Sequence, residues 1–310
     1  MIGSRCLYLF FITVICCGSA VSQTSYAARK AFEQGTRSYE QHDFETALLY
    51  FTQAIQLSSY PNLSRKDLSS RWNASDQTEA VTIVNPFVAQ AYLSRGAVYF
   101  RMREMSSALS DFERAVRISP GLAQAYLNRG SAKHALGDTH GAISDWDRAI
   151  KLKPDLQEAY CNRGGARVEL DDVSGAFADL DKALELDPKD GVSYCHRGYA
   201  WIKRKNLDQA LIDFNAALLL DHNMAQAYQG RGAALLGKGQ FDAALADLNR
   251  ALQLNDRLLQ AYMNRGLALL MSGKDSEAEK DFAHIRTVDP TLKHELEERI
   301  QLAKDLRKTP

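Results

Sequence analysis

Cys195 and His196 are neighbours in the chain, and Cys161 stands one repeat earlier, 34 residues before Cys195. A thiol beside an imidazole is the pairing used both for nucleophilic catalysis and for soft-metal binding. The rest of such a site is missing. The seven His are otherwise scattered, and no triad, phosphate-binding loop or pair of carboxylates falls within reach of another. Equivalent places on neighbouring helix pairs lie about 10 Å apart, beyond the ~7 Å that a disulfide spans. The thiols therefore read as small semi-buried residues, and the chain reads as a non-enzyme without cofactor or metal.

Two other series carry chemical groups. Arg recurs at 95, 129, 163, 197, 231 and 265, and Asp at 111, 145, 179, 213, 247 and 281. In register they resemble a charged track. Each Arg, however, adjoins a Gly and each Asp adjoins a large apolar residue, which places both at helix contacts. The expectation is that they pair with each other, within or between units, and contribute specificity of register more than net stability. Asn128, Asn162 and Asn264 form the other series. An amide offers donor and acceptor together, so a row of them can pair with a peptide backbone without reading its side chains.

The elements that position these groups repeat. Tyr occurs at 92, 126, 160, 194, 228 and 262, and Gly follows four residues later each time, from Gly96 to Gly266. Ala108, Ala142, Ala176, Ala210, Ala244 and Ala278 keep the same period of 34 residues. Tyr92, Gly96 and Tyr99 lie at i, i+4 and i+7, one face of a first helix; Ala108, Phe112 and Ala115 do the same on a second. Six mid-helix glycines, each costing about 1 kcal/mol against Ala, imply close approach of the second helix to the first. Gly137, Gly239 and Gly273 fit the turn between the two helices, and Pro120, Pro154, Pro188 and Pro290 fit the stop after the second.

Period, helix-turn-helix unit and the Tyr/Gly/Tyr/Ala/Phe/Ala/Pro pattern resemble the tetratricopeptide repeat, in a version with Asn-Arg-Gly (NRG-type) at its centre. The likeness covers 89–290 in six continuous units. A degenerate unit at 23–57 precedes them, carrying Gly35, Tyr39, Ala47, Phe51 and Ala54 but Gln34 for Arg and Tyr50 for Asp. The resemblance implies an all-α, right-handed superhelical solenoid of about seven units, in which first helices line a concave groove. It then implies groove candidates at Leu93, Leu127, Asn128, Cys161, Asn162, Cys195, His196, Tyr199, Met263 and Asn264. The basic residues of a carboxylate clamp are absent from these places. An asparagine ladder for an extended peptide fits Asn128, Asn162 and Asn264, while Ser94 and His196 fit poorly and Gly230 breaks it; the other reading is that these residues serve helix contacts. A scaffold for a partner protein or peptide is the function implied, with self-association through convex or terminal surfaces as the alternative.

The remaining segments frame the array. Gly35 and Gly96 stand 61 residues apart instead of 34, leaving a Ser-rich insertion at 58–88 with Trp72 inside it: a loop, or a flap over the groove. At 291–310, Leu292, Leu296, Ile300, Ala303 and Leu306 make the apolar stripe of a capping helix. Residues 1–22 read as a cleaved export signal, with Arg5 before an apolar run too short to span a bilayer and then small residues around Ala20 and Ser22. Export to a periplasm or the exterior is expected, with a membrane anchor if the signal stays. Lys plus Arg balance Asp plus Glu at 38 each, so no basic field invites nucleic acid.

Overall fold

A computed structural model describes residues 26–59 and 86–308. Residues 1–22, read above as an export signal, most of the Ser-rich insertion and Trp72 lie outside the described residues. Those described form fifteen α-helices: α1 (Tyr26–Glu40), α2 (Phe44–Ser59), α3 (Pro86–Arg101), α4 (Met105–Ile118), α5 (Ala123–Ala135), α6 (Thr139–Leu152), α7 (Gln157–Glu169), α8 (Val173–Leu186), α9 (Gly191–Lys203), α10 (Leu207–Leu220), α11 (Ala225–Gly237), α12 (Phe241–Leu254), α13 (Leu259–Met271), α14 (Asp275–Val288) and α15 (Lys293–Lys308). The fold class is the all-α helical-repeat solenoid. No described helix is long and apolar enough to cross a membrane.

The chain divides within α7 into two compact units, 3–163 and 164–310. The same packing rule builds both. In the first, α1 packs on α2, α3 on α4 and α5 on α6; α2 then packs on α3 and α4 on α5, and α3 also touches α1 and α5. In the second, α9, α11 and α13 play the first-helix part, and α9–α11 and α11–α13 contacts again join first helices directly.

The contact inside each pair explains the periodic glycine. A Cβ on Gly96 would stand 2.7 Å from the Phe112 ring, and one on Gly266 would stand 2.4 Å from Phe282. No side chain fits there, so the backbone of the first helix rests on the aromatic or leucine of the second. Phe51, Phe112, Trp146, Leu180, Phe214, Leu248 and Phe282 are all buried at this place.

The turn between paired helices needs one residue in the left-handed region. Gly137, Gly239 and Gly273 supply it at φ of 89°, 72° and 77°, but His42, Arg103, Asp171 and Lys205 hold the same place at 58–67°. The stop after the second helix is less a proline effect than the sequence suggests. α10 and α12 end without one, and there Asp221 Oδ1 and Asn255 Oδ1 accept the backbone N–H two residues on, at 3.1 Å each. Asp187 and Asp289 do likewise in front of their prolines, so a side-chain turn is common to all four ends.

At the C-terminal end α15 packs on α13, burying Leu296, Ile300 and Ala303. Leu306, expected in the same stripe, is 58% exposed. Arg307 fixes that last turn instead, donating to the Leu270 carbonyl at 2.7 Å and pairing with Asp275.

Candidate functional site

The arginines settle first. Arg95 donates through Nε and Nη2 to the two oxygens of Asp111, at 2.7 and 2.8 Å. Arg129 grips Asp145 in the same fork at 2.8 and 2.6 Å, as Arg197 does Asp213, Arg231 does Asp247 and Arg265 does Asp281. The carboxylates are buried. Desolvation is the largest single effect on Arg95 and opposes its charge, but the hydrogen bond and the charge of Asp111, with Tyr99 and Tyr92, together raise its pKa. In Arg129, Arg231 and Arg265 the bond to Asp is the larger effect and also raises the pKa.

The third guanidinium nitrogen reaches back to the preceding pair. Arg95 bonds Thr52, Arg163 bonds Asp147, Arg197 bonds Asp181, Arg231 bonds Asn215 and Arg265 bonds Asn249, at 2.5–3.1 Å. One planar fork thus locks its own second helix and the one before it. The sequence pointed to pairing within or between units, and the geometry does both. The sequence reading does not include Thr52, Asp147, Asp181, Asn215 and Asn249, although a polar residue stands two after every Asp of the series except Asp281, which Ala283 follows. Asp179 is held by Arg167 at 2.7 Å. These charges are consumed by register and do not form a track for a ligand.

The candidate groove residues separate into two groups. Leu93, Leu127, Cys161, Cys195 and Met263, each one after a Tyr, are 0–4% exposed. They stand three residues before the packing Gly, on the helix face turned toward the neighbouring helices, and they belong to the core. At this burial they line no open groove. Cys161 and Cys195 are buried and neither forms a disulfide. Burial, and then Asp190, pushes the Cys195 thiol far above its ordinary value, the opposite of an activated nucleophile. Among the described residues no group of three His, Cys, Asp or Glu could hold a metal.

The second group lies at the surface edge of the first helices. Asn162 and His196 are half-buried, whereas Asn128 and Asn264 are 8% exposed. Asn128 accepts from Gln124 Nε2 at 3.0 Å, and Asn162 Nδ2 donates to Ser131 at 3.4 Å. Tyr199 is half-buried, and its hydroxyl meets the Gln226 carbonyl at 2.7 Å and Gln229 Oε1 at 3.0 Å. Burial, and then Cys195, raises the Tyr199 pKa.

A volume exchange between residues 31 apart explains why the asparagine row is irregular. Gly165 leaves room for the His196 ring, which a Cβ there would approach to 2.8 Å. One step on, the roles reverse: Tyr199 is large and Gly230 is small, a Cβ on Gly230 lying 3.0 Å from Tyr199 Cζ and 2.3 Å from Phe214 Cζ. A further polar row stands two before each Tyr: Gln90, Gln124, Glu158 and Gln226 are partly buried and Gln260 is exposed, with Val192 alone apolar. Its 34-residue period was the available signal.

Comparisons with known proteins agree with this architecture. Family models described as tetratricopeptide repeat match 89–121, 157–190 and 230–286, and one described as TPR repeat matches 130–171. A tetratricopeptide repeat protein from Parabacteroides merdae superposes with a TM-score of 0.63 at 20% identity, over 90% of this chain and 100% of that one. The Cut9-Hcn1 hetero-tetramer of APC/C gives 0.65 at 19%, over 89% of this chain and 54% of that one. PilF of Pseudomonas aeruginosa gives 0.55 at 17%, over 65% and 92%. At such identities the likeness concerns the fold alone. No curated protein matches.

Proposed function

The chain belongs to the tetratricopeptide-repeat family and is a protein-interaction scaffold, and we propose that its first-helix face holds a partner through an extended, uncharged segment. The observation that carries the reading is the consumption of charge. Every repeat arginine with a described fork spends it on a buried Asp, so the charges that recur in register are used within the array. Gln124 with Asn128 and Ser131 with Asn162 present amide and hydroxyl groups one helical turn apart. Such groups suit the alternating donors and acceptors of a peptide backbone. The repeat arginines with a described fork offer a ligand no counter-charge, since each fork is taken by an Asp. Catalysis has no support in this arrangement, since the one thiol beside a His is buried with a raised pKa. Export by a cleaved 1–22 signal belongs to the same proposal and rests on Arg5, the apolar run and the small residues after it.

The test is a displayed library of random twelve-residue peptides selected on chain 23–310, which keeps every described residue. Affinities of the selected peptides are then measured by fluorescence anisotropy on wild type and on Gln124→Ala/Asn162→Ala. Two net hydrogen bonds at about 1 kcal/mol each predict a loss of roughly 30-fold, with unchanged circular dichroism. Neutral peptides that bind both proteins equally, or selection of acidic or basic peptides only, would refute the reading.

A further inference from the structure

Asn264 is a buried amide that its own array does not satisfy. It is 8% exposed, and among the described residues its side chain has no hydrogen-bond partner. Asn128 and Asn162, at the same place in other repeats, are bonded, the first by Gln124 four residues earlier and the second to Ser131, 31 residues earlier. The same two steps from Asn264 reach Gln260, which is exposed, and Ala233, which has no polar side chain. The 31-residue step is a contact elsewhere in this unit, joining His196 to Gly165 and Gly230 to Tyr199, and α11 touches α13 directly. Asn264 therefore stands against Ala233, with half-buried Leu267 one turn further along its own helix. Its row ends on both sides. One repeat earlier the place belongs to Gly230, whose space Tyr199 and Phe214 take, and one repeat later it is Glu298 of the capping helix α15. A buried amide costs free energy until its donor and acceptor are both met.

We propose that Asn264 forms the floor of a subsite for one carboxamide side chain, Asn or Gln, of the segment bound on the first helices. This rests on the peptide-binding reading above and adds a specificity to it. An extended backbone presents its donor–acceptor pairs at every second residue and needs a row of amides to use them. A carboxamide carries one donor–acceptor edge at the end of an apolar stem, which matches a single amide beside Ala233 and Leu267. Other polar side chains match it less well. A carboxylate leaves the Asn264 NH2 bonded but its carbonyl without a donor, and an ammonium leaves the NH2 without an acceptor. Arg265 beside it offers no charge, being held by Asp281 and Asn249.

The twelve-residue peptides selected on chain 23–310 test it, with Asn264→Leu as a second target of the same library. Peptides from wild type should share one Asn or Gln, and changing it to Leu should weaken binding to wild type about 10-fold, the worth of one or two hydrogen bonds. On Asn264→Leu the order should reverse, the Leu peptide binding more tightly than its parent. Asn264→Ala, which adds no volume, should lose the same preference. In isotope-labelled protein the side-chain NH2 signal of Asn264, assigned by its absence from Asn264→Leu, should shift with the parent peptide and not with the Leu peptide. Gln124→Ala/Asn162→Ala should weaken both peptides by the same factor, which separates this subsite from the backbone contacts. Selected peptides with no shared carboxamide, or the same peptides selected on Asn264→Leu, as when a buried water alone serves the amide, would overturn the proposal and leave the first-helix reading standing. An equal loss for all peptides on Asn264→Leu, the mark of a structural role, would overturn it too. Failure to select any neutral peptide would remove the first-helix reading and this subsite together.

Discussion

Gly230→Ala should destabilise the protein, although helix propensity alone predicts the reverse. Gly230 sits inside α11, where Ala is favoured over Gly by about 1 kcal/mol. Against that gain stands the Phe214 ring, 2.3 and 2.4 Å from the new Cβ, and Tyr199 Cζ at 3.0 Å. Ordinary contact begins near 3.4 Å, so the ring has to retreat by about 1 Å. Its way back is limited by the backbone at Gly198, which lies so close that an added Cβ there would stand 2.7 Å from Phe214 Cε1. Overpacking with no room to relax costs about 3 kcal/mol, the upper part of the usual range, leaving a net loss of roughly 2 kcal/mol. Tyr199→Ala removes the other wall, whose ring centre is 5.1 Å from that of Phe214, and lets Phe214 tilt. Gly230→Ala made on top of Tyr199→Ala should therefore cost about 1–2 kcal/mol less than alone. Urea unfolding of the four proteins, together with hydrogen exchange of the α11 amides, reads both quantities. A stabilising Gly230→Ala, or strict additivity in the cycle, would refute the claim that Tyr199 and Phe214 own the space at Gly230.

The turn between helices offers a test with opposite signs. Gly239→Ala meets no atom within 4 Å at φ 72° and should lose about 1 kcal/mol from backbone strain alone, whereas Arg103→Gly at φ 67° should gain up to a similar amount; thermal melts compare them. At the C-terminal end, the Asp275 carboxyl is held below its ordinary value first by the hydrogen bond from Arg307. Its contribution to docking α15 is present above the ordinary Asp pKa of about 3.9 and is lost as pH falls through the depressed value, so α15 amides should lose exchange protection there first, and Arg307→Ala should remove that pH dependence.

Much of the fold was legible because the physics of the repeat is local and recurs. The glycine must recur wherever an aromatic or leucine of the second helix meets the first, and Gly96 with Phe112 states that rule in two residues. Arg and Asp 16 apart could be paired from their neighbours alone. The helix stops were misread for the same kind of reason. Pro is conspicuous, but α10 and α12 end at Asp221 and Asn255 without it, and the Asx turn that acts at all four of these ends hides among common surface residues. Leu306 kept the right spacing for the cap stripe and still faces water, because Arg307 turns that end of α15 toward Leu270 and Asp275.

The site was less legible because it depends on what stands one repeat away. Residues one after each Tyr were assigned to the groove from the family's general plan, yet Leu93, Cys161 and Met263 sit on the same helical side as the packing Gly and are buried with it. Asn162, His196 and Gly230 share one position but differ in what precedes them by 31 residues: Ser131 bonds the first, Gly165 admits the second, and Tyr199 excludes a side chain at the third. Volume is conserved across the pair rather than at either residue. A ladder read down one column therefore looks broken at Gly230, whereas read as pairs it changes from a polar contact to an aromatic one. If a peptide lies on the first helices around Tyr199, its ring should give preference for a particular side chain, and substituting Tyr199 should alter which peptides are selected more than how tightly neutral peptides bind.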